Sequence, residues 1–159
     1  FFSGLSFNSL TCKKNNIFFG IKGTESDGKK FIKDAIKKGA RTIVSNEKFK
    51  GLKNNILYIK VKNVRKILSE IAFKVNKKKP KNLIAVTGTN GKSSIADFYF
   101  QILKLNKKKV ASIGTLGIKT ISSKIDANKT TLDPIKLSQN LKKINRVKFF
   151  NYRCCFMSF

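Results

Sequence analysis

Leu83, Ile84, Ala85 and Val86 run into Thr87-Gly88-Thr89-Asn90-Gly91-Lys92-Ser93-Ser94, and no other stretch constrains the fold as strongly. The short apolar run predicts a fully buried strand. After it, Ile95, Ala96, Phe98, Tyr99, Ile102, Leu103 and Leu105 recur at helical spacing, which predicts an amphipathic helix. A strand, a glycine turn and a helix that opens on Lys-Ser form a cradle for phosphate. Glycine lets backbone N–H groups approach an anion closely, and the helix start supplies unpaired donors and a positive dipole end. In such a cradle Lys92 reaches the outer phosphates and the Ser93 hydroxyl ligates magnesium.

The general phosphate-loop pattern has a glycine six residues before the lysine. Here that position is Val86. Gly-Lys-Ser alone is weak; the strand-turn-helix context strengthens it. A glycine-rich turn between strand and helix, with no ligand, is the competing reading.

The formal charge is +27 over 159 residues, and nearly all of it is lysine. Such an excess suits nucleic acid, anionic lipid or other polyanions. Lys, Asn, Ile and Phe are all abundant, however, and their codons are rich in A and T. The lysines are scattered, with arginine only at Arg41, Arg65, Arg146 and Arg153. Compositional drift is favoured over a nucleic-acid surface. Hydrophobic content of 41% suffices for a core. Cysteine stands at 12, 154 and 155, and histidine is absent. That argues against a zinc site and a disulfide framework, and it excludes histidine-based triads. No apolar run approaches the roughly 18 residues of a membrane span, and residues 1 and 2 precede no signal-peptide core. A cytoplasmic protein without a membrane partner is expected. The sequence opens on Phe1 instead of methionine, so a complete reading frame is not expected.

Taken in order, the chain alternates strand and helix. Residues 17–21 read as a strand, and residues 22–28 as a polar loop. A helix follows with Phe31, Ile32, Ala35 and Ile36 on one face, stopped by Gly39. Residues 41–45 and 55–61 read as strands. Asn63 is placed to cap a helix carrying Val64, Ile67, Leu68, Ile71, Ala72 and Val75. The alternation implies a mostly parallel sheet covered by helices. Lys77-Lys78-Lys79-Pro80-Lys81 interrupts it, because Pro80 cannot continue a helix and the lysines repel. A domain boundary is expected there, giving domains 1–79 and 80–159; an ordinary loop within one domain is the alternative. Beyond the phosphate loop and its helix, residues 110–115 read as a strand and 117–129 as a hairpin or loop. Thr130 to Pro134 form a turn into a helix with Ile135, Leu137, Leu141 and Ile144 on its buried side. Residues 147–150 begin a third strand, and residues 151–159 show no clear period.

The stretch from Thr87 to Ser93 resembles the ATP-binding loop of the Mur ligases, the enzymes that add amino acids to the peptidoglycan precursor. That family loop reads Thr-Gly-Thr-Asn-Gly-Lys and then Ser or Thr, which accounts for Val86. Four further stretches agree, most closely with the tripeptide-forming branch. They are Asn8-Ser9 with residues 13–19, residues 23–40, Ile113-Gly114-Thr115, and Thr130-Thr131-Leu132-Asp133-Pro134. The resemblance implies an α/β chain: a small N-terminal substrate domain, then the start of a phosphate-loop-type parallel α/β domain that binds ATP. It implies that Ser9, Thr24, Glu25 and Ser26 contact the uridine nucleotide and its pyrophosphate, and that Thr130 and Thr131 hold the muramoyl-peptide part. Gly88, Thr89, Asn90, Gly91, Lys92, Ser93 and Ser94 would hold ATP phosphates, with Lys92 catalytic and Ser93 on Mg2+. Each serine or threonine could equally be a turn or cap residue; the agreement of ordered motifs favours the binding role.

The chain also departs from the pattern. The family's Asp-Ser-Arg is Asn8-Ser9-Leu10 here, and Leu132 replaces a proline. The family places a magnesium-holding glutamate after its third central strand, whereas no Asp or Glu follows Asp133. The switch to Arg153-Cys154-Cys155-Phe156-Met157-Ser158-Phe159 is what a one-base frame shift would produce. The resemblance therefore implies a piece of an ATP-dependent ligase acting on UDP-N-acetylmuramoyl-dipeptide, inactive as it stands, monomeric, and using ATP and Mg2+. A basic module that binds nucleic acid or other polyanions is the alternative, without a specific nucleic-acid motif to support it.

Overall fold

The computed structural model describes residues 2–23, 27–114, 117–122, 124–125, 133–146 and 154–158. The chain divides into two compact units, Phe1–Val75 and Asn76–Phe159.

In the first unit the strands are β1 (Gly4–Ser6), β2 (Asn16–Phe19), β3 (Thr42–Ser45), β4 (Gly51–Lys53) and β5 (Ile56–Lys60). Their order in the sheet is β1-β2-β3-β5-β4. Every pair is parallel except β4 with β5. A parallel sheet is covered on both faces, so its strands are apolar without alternation. Phe18 and Phe19 are adjacent, point to opposite faces, and are both 0% exposed. Burying each side chain contributes about 1.5–3 kcal/mol relative to leaving it in water. Helices α1 (Ile32–Lys37) and α2 (Val64–Val75) bury Ile32 and Ala35, and Val64, Leu68 and Ala72. Gly39 ends α1 with φ +95°; its amide bonds to the Ile36 carbonyl and that of Ala40 to Ala35. A Cβ on Gly39 would stand 2.9 Å from the Lys14 Cα. Asn63 caps α2 as expected, its Oδ1 accepting from the Lys66 amide at 2.9 Å. One feature differs from the expectation of a plain strand over 55–61. Asn54 and Asn55 both have positive φ, 49° and 60°. They form the two-residue turn of a β4–β5 hairpin, a geometry that asparagine tolerates better than most residues.

In the second unit the strands are β6 (Asn82–Val86), β7 (Val110–Gly114), β8 (Gly117–Lys119), β9 (Lys124–Ile125) and β10 (Cys154–Ser158). The order is β6-β10-β7-β8-β9, with β10 parallel to both neighbours. Helix α3 (Lys92–Leu105) covers β7 and β10, and α4 (Pro134–Arg146) follows. Asp133 caps α4 by accepting from the Lys136 amide at 2.9 Å, and Pro134 takes the first helical position. Leu137, Leu141 and Ile144 are buried there as expected, while Ile135 is half-buried.

Residues 154–158, within the stretch that shows no clear period, form β10 and pair with β6 and β7 in a single register. The strand expected over 147–150 lies outside the described residues. Two expectations, for the strand before the phosphate loop and for α3, need correction. The strand before the phosphate loop is not fully buried, since β6 is an edge strand and Ile84 is 40% exposed. Finally, α3 buries Ala96 and Phe100 against Val110, while Ile95, Phe98, Tyr99, Ile102 and Leu105 face outward. Periodicity identified the helix, but α3 carries apolar residues around more than one face, and only one face meets the sheet.

Candidate functional site

The loop of residues 87–91 joins β6 to α3, and all five residues are exposed. Gly91, at φ +73°, is the N-cap of α3 and makes no side-chain cap. A left-handed residue turns the chain sharply from strand into helix, and an L side chain there would cost about 1–2 kcal/mol. Space around Gly91 is open, for a Cβ built on it meets nothing within 4 Å. The Ile95 amide bonds back to the Gly91 carbonyl at 2.9 Å. The amides of Lys92, Ser93 and Ser94 precede it and have no helical partner. They stand at the positive end of a 14-residue helix. The loop thus offers donors, positive potential and room on one side, as a phosphate group requires.

Lys92 folds back on this loop. Its ammonium donates to the Gly88 carbonyl and, at 3.0 Å, to the Thr89 carbonyl. The charge is held against the loop's own backbone. Thr89, Asn90 and Ser94 complete the same exposed turn.

Ser93 is half-buried and lines a cavity of about 20 Å³ with Ala96, Asp97, Ser112 and Lys119. That volume holds one water molecule. Asp97 lies one helical turn after Ser93, on the same side of α3. Lys119 on β8 donates to Asp97 Oδ1 at 2.5 Å, and Gln101 donates to Oδ2 at 2.6 Å. The Lys119 hydrogen bond, then that of Gln101, hold the Asp97 carboxyl below its ordinary range, against a small opposing effect of burial. Sequence reading missed Asp97, Ser112 and Lys119. The spacing from Ser93 to Asp97 was legible, whereas Ser112 and Lys119 reach the site only through strand pairing.

The donor set fits a nucleotide phosphate with a hard divalent cation. Ser93, Ser112 and Asp97 offer oxygen alone, which Mg2+ prefers. Among the described residues no group of three or more His, Cys, Asp and Glu could hold a metal unaided. Magnesium suits such a place, because it keeps several waters and shares its shell with substrate phosphates.

Of the remaining sequence candidates, Ser9 alone lies among the described residues. Ser9 belongs to the first unit, in a 3-10 turn (Ser9–Thr11) at the C-terminal end of β1. It is 7% exposed and offers a ligand little surface. Asn8, in place of the expected aspartate, accepts from the Leu10 amide and caps this turn. Thr24, Glu25 and Ser26 lie outside the described residues, as do Thr130 and Thr131. At the far end of the first of these loops, Asp27 caps a second 3-10 turn (Gly28–Phe31) through the Lys29 amide. No described helix is long and apolar enough to cross a membrane.

Comparison with known proteins finds relatives for both stretches of the chain. The family model described as Mur ligase middle domain matches residues 86–150. The model described as Mur ligase family, catalytic domain, matches residues 2–75. The UDP-N-acetylmuramoyl-L-alanyl-D-glutamate--2,6-diaminopimelate ligase of Rickettsia montanensis is 49% identical over 115 residues, which are 72% of this chain and 24% of the relative. The enzyme of the same name from Clostridioides difficile is 39% identical over 146 residues, 89% of this chain and 29% of the relative. The chain therefore spans about a quarter of the length of the curated relatives it matches. Among solved structures, a ligase of that same name superposes with a TM-score of 0.77 at 24% identity, over 99% of this chain and 32% of that one. The MurF ligase of Thermotoga maritima in complex with ADP gives 0.58 at 21% identity, over 97% of this chain and 31% of that one. Both likenesses concern the fold.

Proposed function

Because this chain belongs to the Mur ligase family, we propose that it carries the nucleotide-phosphate loop of an ATP-dependent ligase of peptidoglycan synthesis. The acceptor proposed is a UDP-N-acetylmuramoyl dipeptide, to which the intact enzyme adds an amino acid; the printed names of the relatives support that choice. Residues 1–79 form the domain for the UDP end, with Ser9, Thr24, Glu25 and Ser26 as contacts. Residues 80–159 form the nucleotide part, with Thr130 and Thr131 toward the muramoyl peptide. The setting is cytoplasmic and the chain acts as a monomer.

The observation that carries this reading is the loop itself. Gly91 turns left-handed into α3, the first-turn amides have no helical partners, and the Lys92 ammonium lies on the Gly88 and Thr89 carbonyls of the same loop. Bound phosphate would accept from the amides of Lys92, Ser93 and Ser94. The Lys92 ammonium would offset the charge of the outer phosphates, and Ser93 would face the cation. Magnesium, when bound, neutralises phosphate charge. The chain's own part is to bind and orient the phosphates, which is most of what phosphoryl transfer asks of a protein. The chain spans about a quarter of the length of its relatives, and its part in this reading is to supply the binding elements.

The test is equilibrium binding of a fluorescent ATP analogue with Mg2+. The wild-type chain binds, and Lys92→Ala binds at least about tenfold more weakly, in line with losing a charge-assisted contact of roughly 1.5–3 kcal/mol. Equal binding by both would remove Lys92 from the phosphate site.

A further inference from the structure

Three features of the second unit converge on Asp97. It lies one turn beyond Ser93 in α3 and shares with Ser93 and Ser112 a cavity the size of one water molecule. Both its oxygens are already held, Oδ1 by Lys119 and Oδ2 by Gln101. A carboxylate has about four acceptor positions, so each oxygen keeps capacity for a further donor. It is also one of three acidic residues in the stretch 76–159, with Asp126 and Asp133, amid an excess of lysine. Asp133 is engaged as the cap of α4.

We propose that Asp97 is a positioning residue for the divalent cation. It accepts a hydrogen bond from a water seated in the cavity, and that water joins Asp97 and Ser112 to Ser93 and to the hydration shell of the metal. Lys119 and Gln101 fix the carboxylate so that its free lone pairs face the cavity. The proposal rests on the nucleotide reading above. It adds an oxygen acceptor, its charge offset by Lys119, that the chain supplies from within α3, one turn from the serine assigned to the metal. Outer partners of this type orient the groups that touch a metal, and losing one typically lowers metal affinity by about 10–100-fold.

The experiment measures the affinity of the full 159-residue chain for a fluorescent ATP analogue, with and without Mn2+, and follows the Mn2+ by electron paramagnetic resonance. Asp97→Asn keeps the shape and one acceptor but removes the charge. Its metal-free affinity stays within about twofold of wild type, while the enhancement by Mn2+ falls by about tenfold or more. A purely structural role would lower both affinities together and leave their ratio intact, and that result would overturn the proposal. If Asp97→Asn does not fold, Ser112→Ala decides: a reduced Mn2+ enhancement supports the water link, and an unchanged one overturns it. Wild-type chain that binds no analogue with or without Mn2+ would remove the nucleotide reading and this proposal with it. Wild-type binding with an unchanged metal ratio in the variants removes only the proposal.

Discussion

The ammonium of Lys92 and the carbonyl oxygen of Thr89 stand 3.0 Å apart, in a hydrogen bond that folds the lysine over its own loop. The contact spans three residues, so the backbone turn that brings them together is the one that Gly91 permits. Loop shape and charge placement are thus one property. A change in the turn displaces the lysine even when the lysine is untouched.

Gly91→Ala tests that link. The new methyl group finds open space, so the cost comes from φ +73° alone. A stability loss of about 1–2 kcal/mol is expected in urea unfolding followed by circular dichroism. ATP-analogue affinity falls with it. Gly39→Ala costs more, because strain at φ +95° is joined by a backbone contact at 2.9 Å. Equal losses at the two positions would contradict the distinction between strain and clash.

The two sides of α3 should respond oppositely to truncation. Phe100 is 6% exposed and packs with Ala96 and Val110, whereas Phe98 is 63% exposed. Phe100→Ala is expected to cost about 3–5 kcal/mol. Phe98→Ser is expected to stay within about 0.5 kcal/mol and to raise solubility. A Phe98→Ser loss as large as that of Phe100→Ala would show that the outward face is covered in solution.

The Asp97–Lys119 pair predicts a pH dependence of definite sign. The folded state holds the Asp97 carboxyl below its ordinary value of 3.8. The resulting stabilisation is present above that value and is lost as pH falls through the lower folded-state value. With the two side chains 31% and 28% exposed, the pair contributes about 1 kcal/mol at most. The stability gap between wild type and Asp97→Asn, measured by urea unfolding, should therefore close at acid pH. A gap that persists unchanged down to pH 2 would mean that the charge contributes nothing.

Local chemistry was the legible part of this sequence. Asn63 caps a helix, Gly39 stops one, and residues 87–91 form the turn into another, because each depends on neighbours within four positions. Pairing was less legible. Nothing within residues 154–158 states that they insert between β6 and β7, since that register depends on two strands far earlier in the chain. Similarly, Ile84 and Ala85 read as buried until the sheet order makes their strand an edge. Asn54-Asn55 is a turn signal, outweighed in the sequence by the strong strand pattern of the apolar run after it. Asp97 fell between the two cases: its spacing to Ser93 was local, but Lys119 and Ser112 arrive from other strands.

The central claim is that residues 88–94 are a phosphate site and not merely a glycine turn on a basic protein. The most direct measurement is a map of backbone amide chemical shifts in the 159-residue chain as ATP and Mg2+ are added. The largest changes are expected at Gly88, Gly91, Lys92, Ser93 and Ser94, and are expected to be lost in Lys92→Ala. Small changes spread over the lysine-bearing surfaces, shrinking with added salt and unaffected by Lys92→Ala, would show charge attraction alone and would contradict the claim.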